Sequence, residues 1–327
     1  MLTLNEGSTM SQSSLRTDGD RADLGTQLLE RTLYGAAREF LARPSKGLRA
    51  RLIEVSYALA GGTSDVPRAA ADMIELLHSG SLIVDDIQDG ADTRRGGPAL
   101  HHVVGMPSAL NTGNWLYFVA LTRLDELMID DARARTLARA THRCLVDCHE
   151  GQSLDLALRV PDVAQAQLPS VVSLVTRLKT ASPMALAARL GATLAGASNL
   201  EIDTLEGFGI GIGMALQMLD DLGSLVAMDR QHKGLEDLRN ARVSWVWSWA
   251  SESVEPDHFS RLTAQLAQPN EFGALREQLA TIVEPLGRAR VRSALDANER
   301  ALRERFSSSR ALDLVHNELT RLEHSYG

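Results

Sequence analysis

Cysteine is scarce in this chain: there are two in 327 residues, Cys144 and Cys148, both in the run THRCLVDCHE. Two thiols four residues apart supply no disulfide framework, so the fold must rest on its own core. His142 and His149 flank the pair, but on one helix they cannot both face the way the thiols face; reduced, packed thiols are expected instead of a zinc site. Basic charge is also short. Lys and Arg number 34 against 42 Asp and Glu, a formal net charge of −8, which leaves no cationic footprint for nucleic acid. No apolar run nears the roughly 18 residues of a membrane span. Residues 1–24 lack the apolar core of a signal peptide, so a cytoplasmic protein is expected. That stretch, rich in Ser, Thr, Gly and Asp, reads as disordered, with Met10 an alternative start. No Ser-His-Asp or Cys-His arrangement is evident, and strand signals are nearly absent.

What is present is helical periodicity, broken at Gly61-Gly62, Gly96-Gly97-Pro98, Pro107, Pro161, Pro169, Pro256 and Pro269. With 44% hydrophobic residues, the pattern predicts an all-α fold, one helical bundle over residues 25–327 around a central apolar cavity. Residues 257–325 carry amphipathic helices without a motif and read as surface packing around that bundle.

Three carboxylates dominate the chemistry. Asp85, Asp86 and Asp89 lie in SLIVDDIQDGADTRRGG and repel one another unless a cation offsets their charge. On a helix Asp85 and Asp89 share one face, with Asp86 about 100° round from Asp85. Oxygen donors this sparse suit Mg²⁺, a hard ion that takes one or two carboxylates and completes its shell with water and substrate phosphate. Arg94 and Arg95 follow, with guanidinium forks matched to phosphate, and Gly96, Gly97 and Pro98 are expected to end the helix. A phosphate ester is the implied ligand.

A second acidic pair, Asp220 and Asp221, sits with Gln217 in the apolar run GFGIGIGMALQMLDDLGSL. Charges there need a partner, either an internal salt bridge or a metal. Gly207, Gly209, Gly211 and Gly213 follow a helical stretch and not a strand, so they signal close helix packing, not a nucleotide-binding turn.

These motifs together resemble the trans-isoprenyl diphosphate synthases. In that family an aspartate-rich motif with two following arginines faces a second aspartate-rich motif across a helical cavity; DDIQD…RRGG and QMLDD match in order. The resemblance covers roughly residues 25–325. It implies an isopentenyl diphosphate site at Lys46, Arg49, His78 and Arg95, and an allylic site involving Arg94, Lys179, Thr180, Gln217 and Lys233, with Asp237 and Arg242 as further matches. It also implies Mg²⁺, three ions with diphosphate bound, held by Asp85, Asp89 and Asp220, and a homodimer. Product length would be set along the helix before Asp85. Gly80 and Ser81 are small there, so Ile74, Leu77, Trp115 or Phe118 would form the floor; geranylgeranyl diphosphate, C20, is the expected product, with C15 and C25 open.

One departure bears on the chemistry. The second motif usually reads DDxxD, and here Ser224 replaces its last Asp, which is expected to weaken the third-ion site without abolishing it. DDLGS also fits the first five positions of the (N/D)DxxSxxxE motif of class I terpene cyclases, although position nine is Met228 and Asp229 lies one further on. A cyclase-like ionisation enzyme and a non-catalytic partner subunit stand as alternatives to prenyl transfer.

Overall fold

The computed structural model describes residues 23–227, 230–306 and 311–326. The expectations for residues 1–22, Met10 included, and for Met228 and Asp229 lie outside the described residues. Helices α1 (Asp23–Leu29) and α2 (Gly35–Leu41) are joined by a π turn at Glu30–Tyr34. There follow α3 (Leu48–Leu59), α4 (Arg68–Asp89), α5 (Leu100–Val104), α6 (Met106–Thr122), α7 (Asp131–Ala157), α8 (Leu168–Thr176) and α9 (Ser182–Leu194). The chain continues through α10 (Asn199–Val226), α11 (Gln231–Arg239), α12 (Trp245–Ser253), α13 (Pro256–Ala264), α14 (Phe272–Arg305) and α15 (Leu312–Tyr326). The all-α expectation holds. The prolines act as starters more than breakers: Pro107, Pro169 and Pro256 occupy the first turns of α6, α8 and α13, where a missing N–H costs nothing. Pro285 lies inside α14.

Helix α4 ends earlier than the sequence suggests, at Gly90, whose φ of 66° places it in the left-handed region that closes a helix. Thr93–Arg94 and Gly97–Pro98 then pair as a two-stranded hairpin. Its turn residues, Arg95 and Gly96, have φ of 52° and 77°, the positive pair that a tight hairpin turn demands. Gly96-Gly97-Pro98 therefore shapes the hairpin and does not end the helix.

One apolar cluster joins α3, α4, α6, α9 and α10 through residues such as Ile53, Met73, Leu116, Leu190 and Leu216; a second gathers Trp247, Trp249, Val172, Leu275 and Leu279. Met218 packs against both. Helix α14 supplies Leu275, Leu279 and Val283 to one cluster and Val291, Leu295 and Leu302 to the other. It is thus a core element, and the surface-packing expectation for residues 257–325 is corrected: its apolar stripe is long enough to span both clusters.

Glycines mark where backbones meet. A Cβ on Gly209 would lie 2.6 Å from the Met184 carbonyl, on Gly213 2.4 Å from Ala181 Cα, and on Gly211 1.8 Å from the Asn298 side chain. Close packing accounts for these three, while Gly207 faces open space. At the crossing of α4 and α6 a Cβ on Gly80 would stand 2.7 Å from the Gly113 carbonyl. Gly80 is small to let two helices touch, which corrects its reading as a wall of the cavity. Gly80→Ala is expected to cost about 1–3 kcal/mol through overpacking, seen as a lower urea midpoint at unchanged slope.

Candidate active site

The last turn of α4 presents the first acidic motif. Asp86 is wholly buried and accepts from Arg94 Nε at 2.7 Å; its other oxygen, Oδ2, has no hydrogen-bond partner. Asp85 accepts from Lys179 Nζ at 3.2 Å and from the Gln152 amide at 2.8 Å. Asp89 pairs with Arg242. Lys179 and Arg242 both reach a fourth carboxylate, Asp155 on α7, at 2.7 and 2.9 Å. Four acids thus face three bases, with negative charge in excess. Burial pushes the Asp85 carboxyl up, but the charge of Lys179 outweighs it and holds the group below its usual range. Asp89 is raised, by burial and by the charge of Asp85.

Asp155 and Gln152 are absent from the motifs read above. They stand on the buried stripe of α7, in line with Leu137, Thr141, Cys144 and Gly151. A carboxylate on such a stripe needs a partner, and that is the signal by which the sequence offers Asp155.

Lys179 and Thr180 sit on a π turn, Arg177–Ala181, between α8 and α9, closed by the Ser182 N–H to the Arg177 carbonyl. Gly151 of α7 and Gly213 of α10 press on it from two sides: a Cβ on Gly151 would lie 2.6 Å from Lys179 N. Such one-turn π insertions are frequent at functional sites. The Thr180 hydroxyl donates to Gln217 Oε1 at 2.9 Å, and Gln217 Nε2 donates to Asp221 at 2.8 Å. Gln217 is therefore a link between the π turn and the second acidic motif.

In that motif the two aspartates differ. Asp220 is held by Arg230 on one oxygen and Lys233 on the other, and their charges keep it below the usual range despite burial. Asp221 is buried and accepts from Gln217 and from the Trp245 N–H, both at 2.8 Å, so it fastens the start of α12. Burial pushes it up to about 7. Ser224 is 3% exposed and donates to the Asp221 carbonyl at 2.9 Å, turned into the helix packing.

The basic group is assembled around the hairpin. His78 is held well below its usual value by burial and by Arg49, Arg95 and Arg94, so it stands neutral among guanidiniums. Lys46 instead feels Arg230, Asp220 and Lys233. Arg43, at the end of α2, was not singled out in the sequence. It donates to the carbonyls of Arg94 at 3.0 Å and Pro98 at 2.8 Å, and both it and Arg95 lie over the Phe40 ring, at 5.2 and 5.5 Å. Among the described residues, the only non-glycines with positive φ are Arg95 and Ala241, beside Arg94 and Arg242. Strain of this kind persists where the surroundings enforce it.

For product length, Ile74 and Leu77 are buried in the core, and Trp115 stacks on Tyr34 with ring centres 5.5 Å apart. Phe118 is 68% exposed on the outside of α6, so it forms no floor and that expectation is corrected. Tyr117, one residue before, stands 3.3 Å from where a Gly80 Cβ would be. Ser81 is half-buried, its hydroxyl on the His78 carbonyl at 2.8 Å. Cys144 and Cys148 are free, with sulfurs 4.0 Å apart, and His149 is turned to the Leu145 carbonyl. A cavity of about 320 Å³ among Arg143, Asp147, Arg189 and Glu206 contains none of the predicted site residues.

No three His, Cys, Asp or Glu side chains among the described residues are grouped to enclose a metal alone. The first motif fits a divalent ion that completes its shell with ligand oxygens: hard donors on one face, and one buried carboxylate oxygen without a partner.

Comparison with known proteins supplies the context. A family model described as polyprenyl synthetase matches residues 30–283. A short chain isoprenyl diphosphate synthase of Methanothermobacter thermautotrophicus is 32% identical over 248 residues, 73% of this chain and 73% of that protein. A geranylgeranyl diphosphate synthase of Sulfolobus acidocaldarius is 29% identical over 202 residues, 61% of this chain and 60% of that protein. The crystal structure of geranylgeranyl pyrophosphate synthetase from Pyrococcus horikoshii superposes with a TM-score of 0.74 at 21% identity, covering 91% of this chain and 94% of that one.

Proposed function

The chain belongs to the polyprenyl synthetase family, and from that premise we propose that it joins isopentenyl diphosphate to an allylic diphosphate at the site between α4 and α10, with geranylgeranyl diphosphate as product. It is a prenyl transferase of the short-chain isoprenyl diphosphate synthase kind. The observation that carries the site assignment is that each acidic motif is met by its own cations: Asp85 and Asp89 on α4 by Lys179 and Arg242, and Asp220 on α10 by Arg230 and Lys233. Those cations are already collected where a diphosphate would take them from the acids.

The family uses divalent metal ions. Magnesium is the ion proposed here, on Asp85 and Asp89; when bound it offsets the charge that develops on the leaving diphosphate. The chain's own part is binding and orientation. Arg94, Lys179 and Lys233 hold the allylic diphosphate as its C–O bond breaks and the electron pair departs with pyrophosphate. Arg49, neutral His78 and Arg95, with Lys46 at the rim, hold isopentenyl diphosphate so that its double bond attacks the allylic carbon. The proton then lost passes to the released pyrophosphate. Gln217 and the π turn at Thr180 face the substrate as dipoles.

The exposed apolar face of α6 and α7, with Met106, Leu110, Phe118 and Val146, is the proposed contact of a homodimer. No single helix among the described residues is long and apolar enough to cross a membrane.

Incubating the purified chain with Mg²⁺, isopentenyl diphosphate and each of dimethylallyl, geranyl and farnesyl diphosphate tests the reading. A C20 diphosphate is expected by mass. Consumption of allylic diphosphate without isopentenyl diphosphate would establish a cyclase, and no consumption a non-catalytic subunit. Arg43→Met is expected to raise KM for isopentenyl diphosphate about tenfold or more, because the Arg94–Arg95 hairpin loses its anchor and misplacement of a binding group is costly. KM for the allylic substrate should change less, since Arg94 keeps Asp86 and Lys179 keeps Asp85 and Asp155. Equal rises in both would show a general loss of structure.

A further inference from the structure

The second acidic motif is poor ground for a metal. Each oxygen of Asp220 is held by a cation, Arg230 on Oδ1 and Lys233 on Oδ2. Both oxygens of Asp221 are committed inside the protein, at 2.8 Å to the Gln217 amide and 2.8 Å to the Trp245 N–H. The position where a third carboxylate would stand is Ser224, whose hydroxyl is turned to the Asp221 carbonyl at 2.9 Å. Ser224 is buried where α11 presses on α10: a Cβ on Gly234 would lie 2.3 Å from the Ser224 carbonyl. Asp237 Oδ2 is 3.5 Å from the Ser224 hydroxyl, so an Asp at 224 would meet a like charge. The first motif is held more loosely: Asp85 and Asp89 are also paired with cations, but the hydrogen bonds from Lys179, Gln152 and Arg242 fall on Oδ1 of each, and neighbouring Asp86 keeps a buried Oδ2 without a partner.

We propose that in this chain Arg230 does the work of a metal ion at the second motif: the allylic diphosphate is met there by the Arg230 guanidinium and the Lys233 ammonium directly, and every bound metal ion belongs to Asp85 and Asp89. This rests on the prenyl transfer reading for the ligand's chemistry, a diphosphate. A guanidinium presents a planar fork to two phosphate oxygens, and its charge does not depend on metal supply. Asp220 keeps Arg230 and Lys233 together in the empty site and releases them to the anion, so it is a positioning residue and not a metal ligand. The sequence signal is an Arg six residues after Ser224, in the run SLVAMDRQHK.

The test counts ions without needing turnover. Mn²⁺ bound per chain is measured by electron paramagnetic resonance with saturating inorganic pyrophosphate, for the wild type, Asp220→Asn and the double variant Asp85→Ala/Asp89→Ala. The count is expected to be unchanged in Asp220→Asn and to fall to zero in the double variant. In a second arm, pyrophosphate binding is followed by calorimetry in the presence of a chelator. Binding should persist in the wild type and weaken at least about tenfold in Arg230→Ala, the loss of one charge-assisted pair. Loss of one Mn²⁺ per chain in Asp220→Asn would overturn the proposal, as would pyrophosphate binding that vanishes with the metal. Because pyrophosphate binding under chelator is read on the wild type itself, an unstable variant does not rescue the idea. If the chain makes no prenyl diphosphate while the ion counts come out as stated, the reading of the reaction has failed and the assignment of Arg230 stands.

Discussion

Asp89→Ala is expected to lower kcat about 10²–10³-fold, the loss typical when one preorganised electrostatic group leaves a site where charge develops, while leaving the melting temperature unchanged or higher. The stability half follows from where Asp89 sits. It is the last residue of α4, at the negative end of the helix dipole, and it is raised by burial and by the neighbouring charge of Asp85. Its partner Arg242 does not become an orphan when the carboxylate is removed, because the guanidinium still holds Asp155 at 2.9 Å. A residue that is locally unfavourable and yet placed opposite a cation has its justification in the reaction and not in the fold. Activity as a function of Mg²⁺ concentration and a thermal melt on the same preparation decide the matter. Near-normal turnover, or a melting temperature that falls in step with activity, would mean that Asp89 is a structural salt-bridge partner.

The acidic motifs and the basic residues around them were legible in the sequence because each is a short run in which residue types do unusual things together: three acids in one turn, two arginines before two glycines, an acidic pair in an apolar helix. The residues that escaped are those whose roles come from packing between distant segments. Asp155 is 70 residues from Asp85 and meets it through Lys179. Arg43 serves a hairpin some 50 residues on, through the carbonyls of Arg94 and Pro98, groups that carry no side-chain signature. Gly80 was misread for the opposite reason. A small residue one turn below a catalytic aspartate fits an open cavity and a tight helix crossing equally well in one dimension, and only the neighbouring Gly113 carbonyl distinguishes them. The all-α class was readable throughout because its signal, period and proline placement, is repeated in every segment.

Ser81→Phe, by contrast with any change at Gly80, should shorten the product by one or two five-carbon units while sparing the first condensation. Ser81 is four residues before Asp85, thus one turn away on nearly the same face of α4 as His78 and Asp85, and it is half-buried with its hydroxyl tied to its own helix at the His78 carbonyl. A side chain there grows into the path proposed for the tail and away from α6. A five-carbon unit adds roughly the length of one helical turn, about 5.4 Å, so a ring at Ser81 stops growth about one unit before a floor at Leu77 and two before one at Ile74. The competing outcome is overpacking, about 1–3 kcal/mol of lost stability with no change in product. Melting temperature and product mass separate the two. A stable variant that still makes the wild-type chain length would show that the tail does not pass Ser81, and the floor would then have to be sought on α7 or α10 instead of α4.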